Sequence, residues 1–189
     1  MRLILASNSP RRKQLLKKLN MPFEIITDNF DETLFGEDAI KTAKVFAKGK
    51  ASAVYNKLKD KKGAYVLGAD TVVQCDGVIL GKPKDEQEAI KTLKFLSGKK
   101  HLVVTGFCIL YENNCISDCD ITEVEFNELT DEQIKRYVES GLYKGKAGAY
   151  GIQDEGYDLV KEYVGSLDNV IGLPTEKIFS IINEINSNY

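Results

Sequence analysis

The sequence predicts an α/β fold with a mixed central β-sheet flanked by helices. Two observations carry this expectation. Strand-like and helix-like segments alternate along all 189 residues, the pattern of helices packed on a sheet. Two strand-to-strand connections also read as hairpins, at Cys75-Asp76-Gly77 and at Asn113-Asn114, so the sheet is not purely parallel. At about 150 residues per domain, the length argues for a single domain over 1–189.

The elements follow in order. Leu3 to Ala6 is a short apolar strand. Ser9 and Pro10 then suit the cap and first position of a helix with Leu15, Leu16 and Leu19 on one face. Phe23 to Thr27 reads as a strand, and Asp28 to Asp38 as a polar, acidic loop. Ala39, Ala43, Phe46, Ala47, Ala51 and Val54 keep helical spacing. Tyr65 to Gln74 is the most strand-like segment and returns through Val78 to Leu80. A helix is expected over Asp85 to Leu96, stopped by Ser97-Gly98, followed by strands His101 to Tyr111 and Ile116 to Phe126. Thr130 and Gln133 have the spacing of a capping box. After Gly172-Leu173-Pro174, the residues Ile178, Phe179, Ile182 and Ile185 mark a last helix.

Composition narrows the function. Apolar residues at 43% and charged residues at 29% describe a globular chain rather than a disordered one. With 26 basic against 28 acidic side chains, the net charge of −2 offers no global attraction to a nucleic-acid polymer or an acidic membrane. The single histidine, His101, excludes zinc sites built from several imidazoles and is expected to be a packing residue at a strand start. Cys75, Cys108, Cys115 and Cys119 lack C-x-x-C spacing and read as reduced thiols. No window approaches the ~18 apolar residues of a membrane span. The apolar run after Met1 is too short for a signal peptide, so a cytoplasmic location is expected.

Two stretches stand out chemically. Ser9-Pro10-Arg11-Arg12-Lys13 puts three cations in a first helical turn, where the helix dipole favours anions at ~0.3–1 kcal/mol per charge. A bound polyphosphate reverses that sign, held by N–H groups, the hydroxyls of Ser7 and Ser9, and two guanidiniums. In Leu67-Gly68-Ala69-Asp70-Thr71-Val72-Val73, a carboxylate sits inside an apolar strand, costly to bury unless paired or bound to a metal. Gly68 and Ala69 leave room for something to approach. A three-residue hairpin loop sets Asp70 opposite Lys82; a two-residue loop sets Thr71 there instead. Asp31-Glu32, the helix lysines Lys44, Lys48 and Lys50, and Gln153 after Ala147-Gly148-Ala149-Tyr150-Gly151-Ile152 are weaker signals. The Gln153 amide either reads a base edge or closes a turn. Gly77 to Pro83 is not a Walker A loop, being one residue short and lacking its Ser or Thr. Gly145 to Gly151 has the wrong spacing for a dinucleotide fingerprint.

Taken together, the ordered stretches Leu5-Ala6-Ser7-Asn8-Ser9-Pro10-Arg11-Arg12, Ala47-x-x-Lys50-Ala51, Leu67 to Val73, Gly81-Lys82-Pro83, Leu96-Ser97-Gly98, Lys146 to Gln153 and Val170 to Pro174 resemble the Maf family of nucleotide pyrophosphatases. The resemblance implies an inosine-triphosphatase-like fold with a cleft between two lobes. It also implies hydrolysis of a nucleoside triphosphate between the α and β phosphates with a divalent metal, Mg2+ or Mn2+. The catalytic carboxylate maps to Asp70, and phosphate and substrate contacts map to Ser7, Ser9, Arg11, Arg12, Lys50, Thr71, Lys82 and Gln153. Glu32 is the matching acidic residue, and with Asp70 the implied metal ligand. The Ala-Asp-Thr and Gly-Ile-Gln forms mark the branch acting on dTTP and UTP rather than 7-methyl-GTP, with Arg11, Thr71 and Gln153 setting specificity. A homodimer and a link to septum formation are further family expectations, the latter allowing a regulator that needs no Asp70. Two departures are Phe46 for the usual Leu, and Asp154 where Gly is usual, an extra anion beside Gln153.

Overall fold

A computed structural model describes residues 1–30, 38–112 and 114–187. Glu32, the rest of the acidic loop over 31–37, and Asn113 of the second predicted hairpin lie outside the described residues. Among the described residues seven strands form one sheet: β1 (Arg2–Leu5), β2 (Phe23–Ile25), β3 (Ala64–Cys75), β4 (Val78–Leu80), β5 (Lys100–Tyr111), β6 (Asn114–Phe126) and β7 (Val160–Val164). Their order is β2-β1-β3-β5-β6-β7, with β4 folded back on β3. β1 runs parallel to β2 and β3, while the β3–β5, β5–β6 and β6–β7 pairs are antiparallel. The mixed α/β sheet expected from the sequence is therefore present. β7 is an addition; its Lys161-Glu162 core and mostly exposed side chains carry little of the alternation that marks a half-buried strand.

Among the described residues six α-helices accompany the sheet: α1 (Pro10–Lys17), α2 (Ala39–Lys57), α3 (Glu86–Leu96), α4 (Asp131–Glu139), α5 (Leu167–Ile171) and α6 (Thr175–Ser187). Their starts follow the sequence. Ser9 accepts from the Arg12 N–H, Asp85 accepts from the Glu88 N–H, and Thr130 with Gln133 closes the expected capping box.

The hairpin after β3 differs from the three-residue loop. Gln74 pairs with Ile79 and Cys75 with Val78, leaving only Asp76 and Gly77 in the turn, both at positive φ (49° and 77°). Such a two-residue turn matches the twist of the flanking strands, and Asp-Gly is a favoured sequence for it. Extending that register brings Thr71, not Asp70, level with Lys82. Asp70 instead finds its partner on α2.

The long helix α2 lies against β3 and β5 through small residues on both sides. A Cβ on Gly68 would come within 2.3 Å of the Ala47 carbonyl oxygen, and one on Gly106 within 2.4 Å of the Ala43 carbonyl carbon. The space left by Gly68 is thus filled by a helix backbone. Ala43, Ala47 and Ala51, all fully buried, form the facing stripe of α2. On the opposite face of the sheet, Leu3, Leu5, Leu67 and Phe107 pack with Leu15, Leu16 and the α6 residues Ile178 and Ile182. A separate apolar cluster joins the far end of β3 to α3 and α4 through Val73, Leu93, Leu96, Ile134, Tyr137 and Tyr150.

β1 ends at Leu5, paired with Leu67, and β4 begins to pair only at Val73. Over Gly68 to Val72, no strand among the described residues covers that edge of β3. A cleft opens there, beyond the carboxyl end of β1, as expected for open α/β sheets.

A methyl group at Gly68 must push α2 away from the sheet, and overpacking of this kind costs about 1–3 kcal/mol. Gly68→Ala is expected to lower the urea midpoint accordingly, whereas Ala at Gly63, which meets nothing within 4 Å although its φ is +61°, serves as the backbone-strain control. A Gly68→Ala midpoint equal to that of the parent protein would contradict the tight seating of α2.

Candidate active site

The cleft measures about 640 Å³ and is walled by residues from both ends of the sheet. Ser7, Ser9, Arg11 and Arg12 come from the β1–α1 junction, Lys50 from α2, Thr71 from β3, Lys82 from the segment after β4, and Gln153 from the loop before β7. Eight sequence-predicted site residues therefore meet in one place. Val73, Val103, Tyr150 and Ile171 supply apolar surface beside them.

Asp70 lies just below this wall, only 4% exposed. Side chains alternate along a strand, so Asp70 shares the α2-facing side of β3 with Gly68 and Val72. It pairs across the sheet with Gly106, which has no side chain to compete for the space. Lys50 Nζ donates to Asp70 Oδ1 at 2.5 Å, with the two side chains 14% and 5% exposed. Burial of a carboxylate next to a cation removes most of the cost of burying it alone.

Thr71 faces the opposite side and belongs to a chain of hydrogen bonds. Arg12 Nη2 donates to Thr71 Oγ1 at 3.1 Å, and Thr71 Oγ1 is 2.9 Å from Thr105 Oγ1. Thr105 spends its own hydroxyl proton on the Asn169 carbonyl at 2.8 Å. The Thr71 hydroxyl must then donate to Thr105, which fixes the direction of the chain from Arg12 inward. Arg12 is held further by Nε to the Gly172 carbonyl at 2.8 Å and by Nη1 to Ser7 Oγ at 3.5 Å. Asn169, fully buried, also accepts from the Thr105 N–H and donates to the Val103 carbonyl and Thr122 Oγ1. Nothing local in the sequence distinguishes Thr105 or Asn169 from core polar residues; only the fold brings them behind Arg12.

The Gln153 end of the cleft holds a second buried pair. Lys146 and Asp154, with side chains 8% and 7% exposed, form a close ion pair, and Tyr137 Oη donates to the same Asp154 oxygen at 2.6 Å. Burial pushes the Lys146 ammonium below its ordinary pKa against the opposing pull of Asp154, and the phenol of Tyr137 is pushed up by burial and by its bond to Asp154. Arg11 is lowered by burial, offset in part by the Asp154 charge, and its Nη2 donates to the Gly145 carbonyl at 3.1 Å. Lys146 has no role among the sequence-based expectations. A lysine set among Gly145, Ala147, Gly148 and Ala149 is its signal in the chain.

His101 fulfils the packing expectation. It is 2% exposed, edge-on to Phe126 and Tyr150, with Nε2 2.8 Å from the Tyr150 hydroxyl. Its Nδ1 is the one buried side-chain nitrogen or oxygen without a hydrogen-bond partner among the described residues. Desolvation lowers its pKa to about 4, against a smaller raising effect of the Lys99 backbone. No group of three or more His, Cys, Asp or Glu that could hold a metal ion occurs among the described residues. No helix among them is long and apolar enough to cross a membrane.

Comparison with known proteins adds three findings. A family model described as Maf-like protein matches residues 2–185. A protein of Aquifex aeolicus (strain VF5) named dTTP/UTP pyrophosphatase is 44% identical over 186 residues, covering 98% of this chain and 96% of that protein. One of the same name from Thermococcus onnurineus (strain NA1) is 42% identical over 179 residues, covering 95% of each. Among solved structures, the Staphylococcus aureus Ham1 protein aligns with a TM-score of 0.50 over 85% of this chain and 80% of its own, at 14% identity, a likeness of fold alone.

The state of His101 has a measurable consequence. The unfolded chain takes up this proton near pH 6.5, while the folded ring stays neutral down to about 4. Stability contributed by the neutral ring is therefore complete above 6.5 and is lost as pH falls from 6.5 to about 4, by about 3 kcal/mol in full. Urea unfolding at pH 7.5 and pH 4.5 is expected to show this slope in the parent protein and a smaller one in His101→Phe. Identical slopes would contradict a neutral buried imidazole.

Proposed function

The chain belongs to the Maf family, matched over residues 2–185, and on that premise we propose that it hydrolyses dTTP and UTP to the monophosphate and pyrophosphate. The observation that carries the reading is the Asp70–Lys50 pair at the uncovered edge of β3, beneath a cleft lined by Arg11, Arg12 and Lys82. A triphosphate needs such a set of cations, and a hydrolysis needs a base where only one imidazole exists and that one is buried in packing.

In this reading a water attacks the α-phosphorus, the bond from that phosphorus to the bridging oxygen breaks, and pyrophosphate leaves. Asp70 accepts the proton of the attacking water. Lys50 holds one carboxylate oxygen of Asp70 and fixes its orientation. Arg12, itself clamped by Gly172, Thr71 and Ser7, and Lys82 across the cleft stabilise the charge that moves onto the leaving group. Ser7 and Ser9 present the start of α1 to the phosphates. Arg11, Thr71 and Gln153 set specificity; Thr71 does so through Arg12, since its hydroxyl is committed to Arg12 and Thr105.

A hard divalent cation, Mg2+ or Mn2+, fits the donor set: the buried Asp70 carboxylate below the cleft, the Asp28 carboxylate in its lining and the substrate's own phosphate oxygens, with no thiol or imidazole lining the cleft among the described residues. Asp70 would hold it, with Glu32 as the second carboxylate, and it would supply charge stabilisation at the phosphates. The same reading places the protein in the cytoplasm, as one catalytic domain and as a homodimer.

Pyrophosphate release from a panel of dTTP, UTP, 7-methyl-GTP and the common purine triphosphates tests the substrate class, with dTTP and UTP expected first. Preference for 7-methyl-GTP would overturn it. Asp70→Asn is expected to abolish release with a native circular dichroism spectrum, and retained activity would sink the base assignment. Arg12→Ala and Lys82→Ala are expected to lower kcat/KM by about 100-fold.

A further inference from the structure

Gln153 occupies the third position of a tight turn, Gly151 to Asp154, closed by the Asp154 N–H to the Gly151 carbonyl at 3.0 Å. Both ends of this turn are tied to the same buried carboxylate. The Gly151 N–H donates to Tyr137 Oη at 3.2 Å, and Tyr137 Oη passes its own proton to Asp154 Oδ2. The ring is complete: Gly151 to Tyr137, Tyr137 to Asp154, and Asp154 back to Gly151. Lys146 neutralises the carboxylate from inside the protein.

The fit is tight from above as well. A Cβ at Gly151 would lie 2.6 Å from Lys146 Nζ and 2.8 Å from Asp154 Oδ2, so the backbone of the turn passes directly over the ion pair. The adjoining 147–149 turn is held at Gly148, whose N–H donates to the Gly81 carbonyl at 3.1 Å, next to Lys82. Arg11 completes the neighbourhood, bonded to Gly145 and within the field of Asp154.

We propose that Asp154 is a specificity-positioning residue: through Lys146 and Tyr137 it fixes the 151–154 turn, so that the Gln153 amide presents one hydrogen-bonding pattern to the base of the bound nucleotide. The inference rests on the reading that Gln153 faces the base. A site built to hydrogen-bond one base edge rejects another because its own polar groups would be left unpaired, and that rejection fails once the amide can wander. Asp154 touches neither phosphate nor base in this scheme. It acts on discrimination and on KM more than on kcat, because the phosphates and Asp70 are held by other elements.

The test is a double-mutant cycle between Asp154→Asn and Gln153→Ala, read as the ratio of kcat/KM for UTP to that for GTP. Asn keeps the shape of the side chain while leaving the Lys146 charge without its counter-charge. The ratio is expected to fall about tenfold in Asp154→Asn, mostly through KM for UTP, and to change less than about twofold when the same substitution is made on Gln153→Ala. A ratio unchanged in Asp154→Asn, or an equal loss in both backgrounds, overturns the proposal; a purely structural defect lowers both substrates together and leaves the ratio alone. If Asp154→Asn does not fold, Tyr137→Phe breaks the ring at its phenol while leaving the Lys146–Asp154 pair, and the same cycle is run with it. Dissociation constants of UMP and GMP, measured by calorimetry, report the discrimination without hydrolysis. A parent protein that releases no pyrophosphate thus defeats the proposed function, while UMP selectivity insensitive to Asp154 defeats only this inference.

Discussion

The contact between α2 and the two glycines, Gly68 and Gly106, is the constraint on which the active site depends. A helix can approach a sheet this closely only where neither surface carries side chains larger than a methyl group. The alanines at 43, 47 and 51 satisfy the condition on one side and the glycines on the other. Lys50 lies in the turn between Ala47 and Ala51, and Asp70 two residues beyond Gly68 on the same face, so seating the helix brings the ion pair together. The Asp70 carboxylate owes its position to packing by residues with no chemistry of their own.

Charge in the cleft is managed by pairing rather than by exposure. Two of the cations, Lys50 and Lys146, are buried with a carboxylate apiece, and Arg12 is clamped by neutral acceptors. Each pair removes a desolvation cost that an isolated buried charge would impose, and each fixes a side chain whose flexible stem would otherwise sample many rotamers. The net charge of −2 therefore conceals a local arrangement suited to a small polyanion.

Much of this was legible in the sequence because the relevant signals are local. Caps at Ser9 and Thr130, the alanine stripe of α2, and the apolar run around Asp70 each follow from residues within a few positions of one another. The residues that escaped notice act over long separations. Asn169 meets Thr105 across 64 positions, Tyr137 meets Asp154 across 17, and no periodicity encodes either meeting. The hairpin after β3 shows how small the margin is. One residue in the loop decides whether Asp70 or Thr71 stands level with Lys82, and only the paired register of Gln74 with Ile79 decides it. The departure at Asp154, read from sequence as an extra anion beside Gln153, is a bonded partner of Lys146 and Tyr137 in the fold.

The uncovered stretch of β3 from Gly68 to Val72 carries a hazard as well as the candidate site. A bare strand edge is a template for joining strands of other molecules, the first step toward ordered aggregates. Here the gap is short, recessed between β1 and β4, and bordered by Lys50, Arg12 and Lys82. Charged side chains, lysine above all, are what natural sheets place at such edges to deter a second strand. The cations proposed to draw a triphosphate into the cleft thus also guard the protein's solubility, so that neutralising them trades away protection against self-association along with the proposed catalysis.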